Sequence, residues 1–159
     1  MAQGYIFLAK FQDSNWVATA VEVDQEACNY SEKHLGIKTI CGTYDSHLID
    51  EEKFDLITLN RVIEHTNDPI QLISSCKSNL KDNGLLYIEA PDAVTALVNN
   101  AKNRETFCSP HYMLFDPLTL SMVVKKSGFY ILEIQRVLEP SGGFSINVLC
   151  CKSTVINKF

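Results

Sequence analysis

The sequence predicts an α/β fold in which a mixed β-sheet is flanked by helices and ends in an antiparallel hairpin. Three observations carry that expectation. The stretch from Phe54 to Asp92 reads as strand, polar loop, amphipathic helix and second strand, and such a unit makes its two strands parallel through a right-handed crossover. Trp16 to Val23 and Lys38 to Cys41 are two further short strands with a helical segment between them. Phe129 to Gln135 and Phe144 to Cys150 alternate as strands with only turn residues, Pro140-Ser-Gly-Gly143, near their junction, so they must run antiparallel.

Taken in order, Tyr5 to Phe11 is a short apolar stretch that reads as helix, broken at Asp13-Ser14-Asn15. Trp16 to Val23 is rich in β-branched residues and closes on acids, as a strand does. Asp24 can cap a helix from Gln25 to Leu35, which Gly36 ends. Lys38 to Cys41 opens into Gly42-Thr43-Tyr44-Asp45, and Ser46 to Lys53 is polar connection. Phe54 to Leu59 is an apolar run of the kind buried in a parallel sheet. Asp68 precedes Pro69, an N-cap and a first helical position where the missing N–H costs nothing. Ile70, Ile73, Cys76 and Leu80 follow at helical spacing, with Asn83-Gly84 as the expected stop and Leu85 to Glu89 as the next strand. Ala93 to Asn103 reads as helix and Arg104 to His111 as loop. Asp116-Pro117 starts a helix through Lys126, with Gly128 past its end. No repeat, low-complexity segment or linker interrupts the chain, which reads as one domain over residues 1–159.

Composition narrows the function. A chain that is 46% hydrophobic and 21% charged can bury a real core and is not disordered. The net charge of −5 and the lack of any Lys/Arg run argue against nucleic acid as partner. No apolar run reaches the ~18 residues of a membrane helix, and the first residues lack a signal-peptide pattern, so no membrane partner is expected. The six cysteines include no Cys-x-x-Cys pair and mostly sit in apolar patterns. Buried free thiols in a reducing cytoplasm are the expectation. Adjacent Cys150 and Cys151 face opposite sides of a strand, and no metal-ligand spacing appears, so no metal site is expected.

Between the strand at Phe54 and its helix lie Asn60, Arg61, Glu64 and His65, just past the carboxyl end of a strand, where open α/β sheets bind ligands. This segment resembles the region after the fourth strand of class I S-adenosylmethionine-dependent methyltransferases. It is most similar to the small-molecule enzymes in which a Glu-His pair follows that strand and a leader-Pro-Asn/Asp ends the next. Here the pair is Glu64-His65 and the ending Glu89-Ala90-Pro91-Asp92. The C-terminal hairpin agrees, since that family's Rossmann-like sheet ends in a reversed strand. A dinucleotide dehydrogenase half would instead continue in parallel. The resemblance runs from Gly4 to about Lys152 and implies S-adenosylmethionine as cofactor and a small-molecule methyl acceptor.

Residue by residue, the resemblance gives Glu22 the two ribose hydroxyls, with Val23 beside it. The plain alternative is a strand-end charge or an anion at a helix N-terminus. Gly42 and Thr43 fall beside the adenine, where many members carry an acid; Thr43 offers only a hydroxyl, and a simple turn is an equal reading. Asn60 and Arg61 fall near the methionine end, Arg61 also being open to service as an anion clamp or a surface charge. Gly4 and Tyr5 follow the cofactor loop. His65 is the candidate general base, against a structural histidine that fixes the loop. His111, in Ser109-Pro-His-Tyr-Met-Leu-Phe-Asp-Pro-Leu-Thr-Leu120, resembles the family's acceptor-side His…Phe-x-Pro-x-x-Leu segment, and Tyr112 and Phe115 are candidate pocket walls or core. His34 and His47 read as surface residues.

The family's first strand and glycine-rich loop would precede Gly4, so the sequence reads as beginning inside that loop. The expectation is weak cofactor binding by residues 1–159 alone, unless a second copy of the chain or a swapped segment completes the sheet as a homodimer. The rival is a non-catalytic remnant or binding module that keeps the fold without the cofactor.

Overall fold

A computed structural model describes residues 15–45, 49, 53–98 and 110–152. They fall into two compact units, one within residues 1–50 and one within residues 51–159. The expected helix from Tyr5 to Phe11, His47, and the candidate residues Gly4 and Tyr5 lie outside the described residues.

In the first unit, β1 (Thr19–Glu22) and β2 (Lys38–Cys41) pair in parallel, Thr19 opposite Lys38 and Glu22 opposite Cys41. Between them runs α1 (Gln25–Tyr30), continued by a wider π-type turn over Ser31–Leu35. Asp24 caps α1 as expected, its side chain accepting the Ala27 N–H at 2.8 Å. Gly36 ends the helix at φ 64°, a left-handed conformation that a Cβ disfavours. β1 is shorter than the sequence predicts. Trp16 and Val17 are exposed and outside the ladder, because β-branched residues mark a strand only where a partner strand runs alongside.

The second unit holds a four-stranded mixed sheet in the order β3-β4-β6-β5. β3 (Phe54–Asn60) and β4 (Leu80–Pro91) are parallel and joined by α2 (Pro69–Asn79). β4 pairs antiparallel with β6 (Phe144–Cys151), and β6 with β5 (Tyr130–Leu138), the hairpin that the sequence predicts. Leu86, Ile88 and Ala90 on β4 and Ile146 and Val148 on β6 are completely buried. Ile73 and Cys76 of α2 and Leu120 and Val124 of α4 (Pro117–Lys126) complete that core. A single turn and a half, α3 (Ala93–Val98), is the described part of the helix expected to Asn103.

Both Asp-Pro helix starts form as predicted. Asp68 accepts the Gln71 N–H at 2.9 Å, and Asp116 and Thr119 close a reciprocal capping box. The end of α2 does not follow the prediction. The helix stops at Asn79, and Leu80, expected on its apolar face, is the first residue of β4 and is 1% exposed. Asn83-Gly84 lies inside the strand. Leu80 faces Phe54 and Leu85 faces Leu56, so β4 bulges where β3 advances by two residues. A Cβ on Gly84 would sit 2.9 Å from the Phe54 carbonyl oxygen, so the glycine serves a close backbone approach rather than a helix stop. Among the described residues, no helix is long and apolar enough to cross a membrane.

Candidate functional site

In the first unit the parallel ladder brings Glu22, Val23, Gly42 and Thr43 to one corner, at the carboxyl ends of both strands. The Glu22 carbonyl accepts the Gly42 N–H at 2.8 Å, which ties the two strand ends together. Oε1 of Glu22 accepts the N–H groups of Val23 (2.8 Å) and Asp24 (3.0 Å), so one carboxylate oxygen steadies the turn into α1. The anion-at-a-helix-start alternative therefore describes part of what Glu22 does. Thr43 and Asp45 are exposed beyond it.

In the second unit β3 delivers Asn60 and Arg61 to the carboxyl edge of its sheet. The Asn60 Oδ1 is buried with no hydrogen-bond partner among the described residues. Arg61 turns the chain at φ 56°, a costly conformation for a residue with a Cβ. It is compensated: the Arg61 N–H donates to the Glu89 carbonyl at 2.9 Å. The guanidinium Nε meets Glu89 Oε1 at 3.1 Å, and Nη2 pairs with Glu139 Oε1. Arg61 is thus engaged by two carboxylates from β4 and the β5–β6 turn, which holds the loop above β3. Burial, with the Glu89 charge second, pushes the neighbouring Tyr87 hydroxyl up to about 12.

A short 3-10 turn, Ile63–His65, packs against the segment at 110–113. The Glu64 carbonyl accepts the N–H of Tyr112 (2.8 Å) and of Met113 (3.3 Å), which brings His111 to His65. The two imidazole centroids are 4.7 Å apart and edge-on, at 63°. Ring nitrogens of both histidines and a carboxylate oxygen of Glu64 all lie within 4.8 Å of one another, close enough to share a small cation. Nδ1 of His65 lies 3.1 Å from the Pro110 carbonyl, which can only accept. The proton therefore sits on Nδ1 and leaves Nε2 basic. Glu64 is 1% exposed and neither carboxylate oxygen has a hydrogen-bond partner among the described residues. Burial raises its pKa, and the adjacent His65, His111 and Arg61 charges only partly counter that.

Of the expected pocket walls, Phe115 is 4% exposed and bridges to Asp92 as core, whereas Tyr112 is exposed. The sequence reading did not single out the burial of Glu64 or the Glu89–Arg61–Glu139 network. Arg61 and Glu139 are 78 positions apart, and no local pattern links them. A shallow concavity between α4 and β5, lined by Ser121, Lys125, Phe129, Tyr130 and Ile134, shares none of these residues.

The family model for the methyltransferase domain matches residues 2–134. The chain belongs to that family. Among curated proteins, the chain is 30% identical over 79 residues to a ubiquinone biosynthesis O-methyltransferase of Actinobacillus pleuropneumoniae, a match covering 43% of the chain and 34% of that relative. The chain spans about a third or less of the length of the first curated relatives it matches. Among solved structures, a methyltransferase of Thermotoga maritima superposes with a TM-score of 0.71 at 16% identity, over 92% of this chain and 76% of the other. The 1,6-didemethyltoxoflavin-N1-methyltransferase of Burkholderia thailandensis, solved with S-adenosylhomocysteine, gives 0.67 at 16% identity, over 89% and 64%. At such identities the structural likeness establishes the Rossmann-like fold.

Proposed function

We propose that this methyltransferase transfers a methyl group from S-adenosylmethionine to a hydroxyl oxygen of a small-molecule acceptor, with His65 as general base. The observation that carries the reading is the His65 imidazole, anchored through Nδ1 on Pro110 with Nε2 left basic. The curated relatives, named for O-methylation in ubiquinone biosynthesis, support an oxygen nucleophile on a ring of that kind. When bound, the cofactor supplies a methyl group already activated on a sulfonium.

The residues present suit that group. Asn60 Oδ1, buried and without a partner among the described residues, is an acceptor for the ammonium of a methionine moiety. The Glu22 carboxylate and the Gly42–Thr43 turn offer the polar groups that a nucleoside needs. Gly4 and Tyr5 retain the cofactor-loop role that the resemblance gives them. Arg61 acts by holding the loop above β3. At the acceptor, His65 Nε2 takes the hydroxyl proton as the oxygen becomes nucleophilic, a service worth about 10²-fold or more in rate. His111, edge-on to His65, receives or returns that proton, while Glu64 sets the charge that the pair can carry.

Calorimetric titration of S-adenosylhomocysteine tests the cofactor half. The expected result is binding that Glu22→Ala weakens by about tenfold or more, the loss of a charge-assisted hydrogen bond. No binding to the folded chain would favour the non-catalytic remnant instead. With a panel of catechols and hydroxybenzoates as acceptors, His65→Gln should lower kcat and leave cofactor affinity intact. An unchanged kcat would remove His65 from the base role.

A further inference from the structure

The first unit carries two thiols at one peptide, although the sequence spaces them 13 positions apart. Cys41, the last residue of β2, is exposed and sits opposite Glu22 in the ladder. Cys28, inside α1, is 3% exposed and its Sγ donates to the Glu22 carbonyl at 3.4 Å. The same carbonyl accepts from Gly42, the residue after Cys41. The helix thus presents Cys28 at the strand end that Cys41 occupies, its sulfur on the carbonyl of the residue that Cys41 faces in the ladder. The other described cysteines differ: Cys76, Cys150 and Cys151 are buried in the second unit.

We propose that Cys28 and Cys41 are an oxidisable dithiol that closes to an intramolecular disulfide when hydrogen peroxide or another hydroperoxide reaches Cys41. The exposed Cys41 thiolate attacks the peroxide oxygen, forming a sulfenic acid and, from hydrogen peroxide, releasing water. Cys28 sulfur then attacks the Cys41 sulfur, and the hydroxyl leaves with a proton as a second water. Two thiols are oxidised and one peroxide is reduced. Burial and the neighbouring Cys41 push the Cys28 thiol up to about 11, so closure is slow at neutral pH and accelerates as pH rises.

Closure removes the S–H donor from the Glu22 carbonyl and ties the end of β2 to α1, at the corner that carries Glu22 and Gly42. On the reading that those residues serve the cofactor, oxidation lowers cofactor affinity, and thiol reductants restore it.

The test treats the 159-residue chain with hydrogen peroxide, quenches with an alkylating agent and maps tryptic peptides. The expected product joins the peptide of residues 11–33 to that of residues 39–53, with the loss of two hydrogens, reversal by dithiothreitol and no such product in Cys41→Ser. That variant changes an exposed side chain and should fold even where Cys28→Ser does not. A folded, peroxide-treated chain that shows both thiols alkylated, or Cys41 linked only between molecules, overturns the proposal. Titration of S-adenosylhomocysteine into reduced and oxidised protein should differ by about fivefold or more. Equal affinities overturn the effect on the cofactor. If neither form binds, the cofactor reading fails while the bridged peptide still establishes the dithiol.

Discussion

A buried carboxyl group with both oxygens unpaired among the described residues opposes folding, and Glu64 keeps that cost beside the two histidines. Its raised pKa means that the folded state holds the proton more tightly than the unfolded chain does. The stability Glu64 contributes is therefore present in acid and is lost as pH rises from the ordinary carboxyl value through the raised one. Glu64→Gln keeps the shape, removes the charge and is expected to raise stability at pH 7 by about 1 kcal/mol. Urea titrations at pH 5 and pH 8 check this, the variant losing less stability than the parent between them. An identical pH slope in both proteins would show that Glu64 ionises freely. At this scale the Glu64-His65 pair was legible because adjacent residues share a turn. Its closeness to His111 was not, since that depends on Tyr112 and Met113 donating to the Glu64 carbonyl.

Helix starts were legible and one helix stop was not, for a physical reason. A cap is a local hydrogen bond, so Asp68 before Pro69 and Asp116 before Pro117 declare themselves in four residues. A glycine is ambiguous, because it serves equally to end a helix or to admit another backbone. Gly84 does the second, against Phe54. Gly84→Ala is expected to cost about 1–3 kcal/mol, since a backbone carbonyl must give way. Thermal unfolding checks it, and a variant as stable as the parent would mean that the β4 bulge relaxes freely. Gly36→Ala, by comparison, meets no atom within 4 Å and carries only the left-handed backbone cost.

Across the whole molecule, the order β3-β4-β6-β5 places β4 and β6 inside their sheet, and Ile88 opposite Val148 is the pair at its centre. Both are fully buried. Ile88→Ala is expected to cost about 2–5 kcal/mol, against under about 0.5 kcal/mol for an exposed change such as Leu132→Thr on β5, measured by urea unfolding. Comparable losses at the two positions would refute the order of burial.

By itself the sequence determined the α/β class, the parallel β3–α2–β4 unit, the C-terminal hairpin, the Glu22 and Asn60 positions at strand ends and the Glu64-His65 pair in the loop after β3. Each of these follows from periodicity, caps and turns within a few residues. Only the tertiary structure decided that Arg61 is held by Glu89 and Glu139, that Glu64 is buried against two histidines, and that Cys28 and Cys41 both come to Glu22. Those facts depend on which distant segments close together, and the free energy that closes them is apolar burial elsewhere in the core, which leaves no mark at the polar residues it assembles.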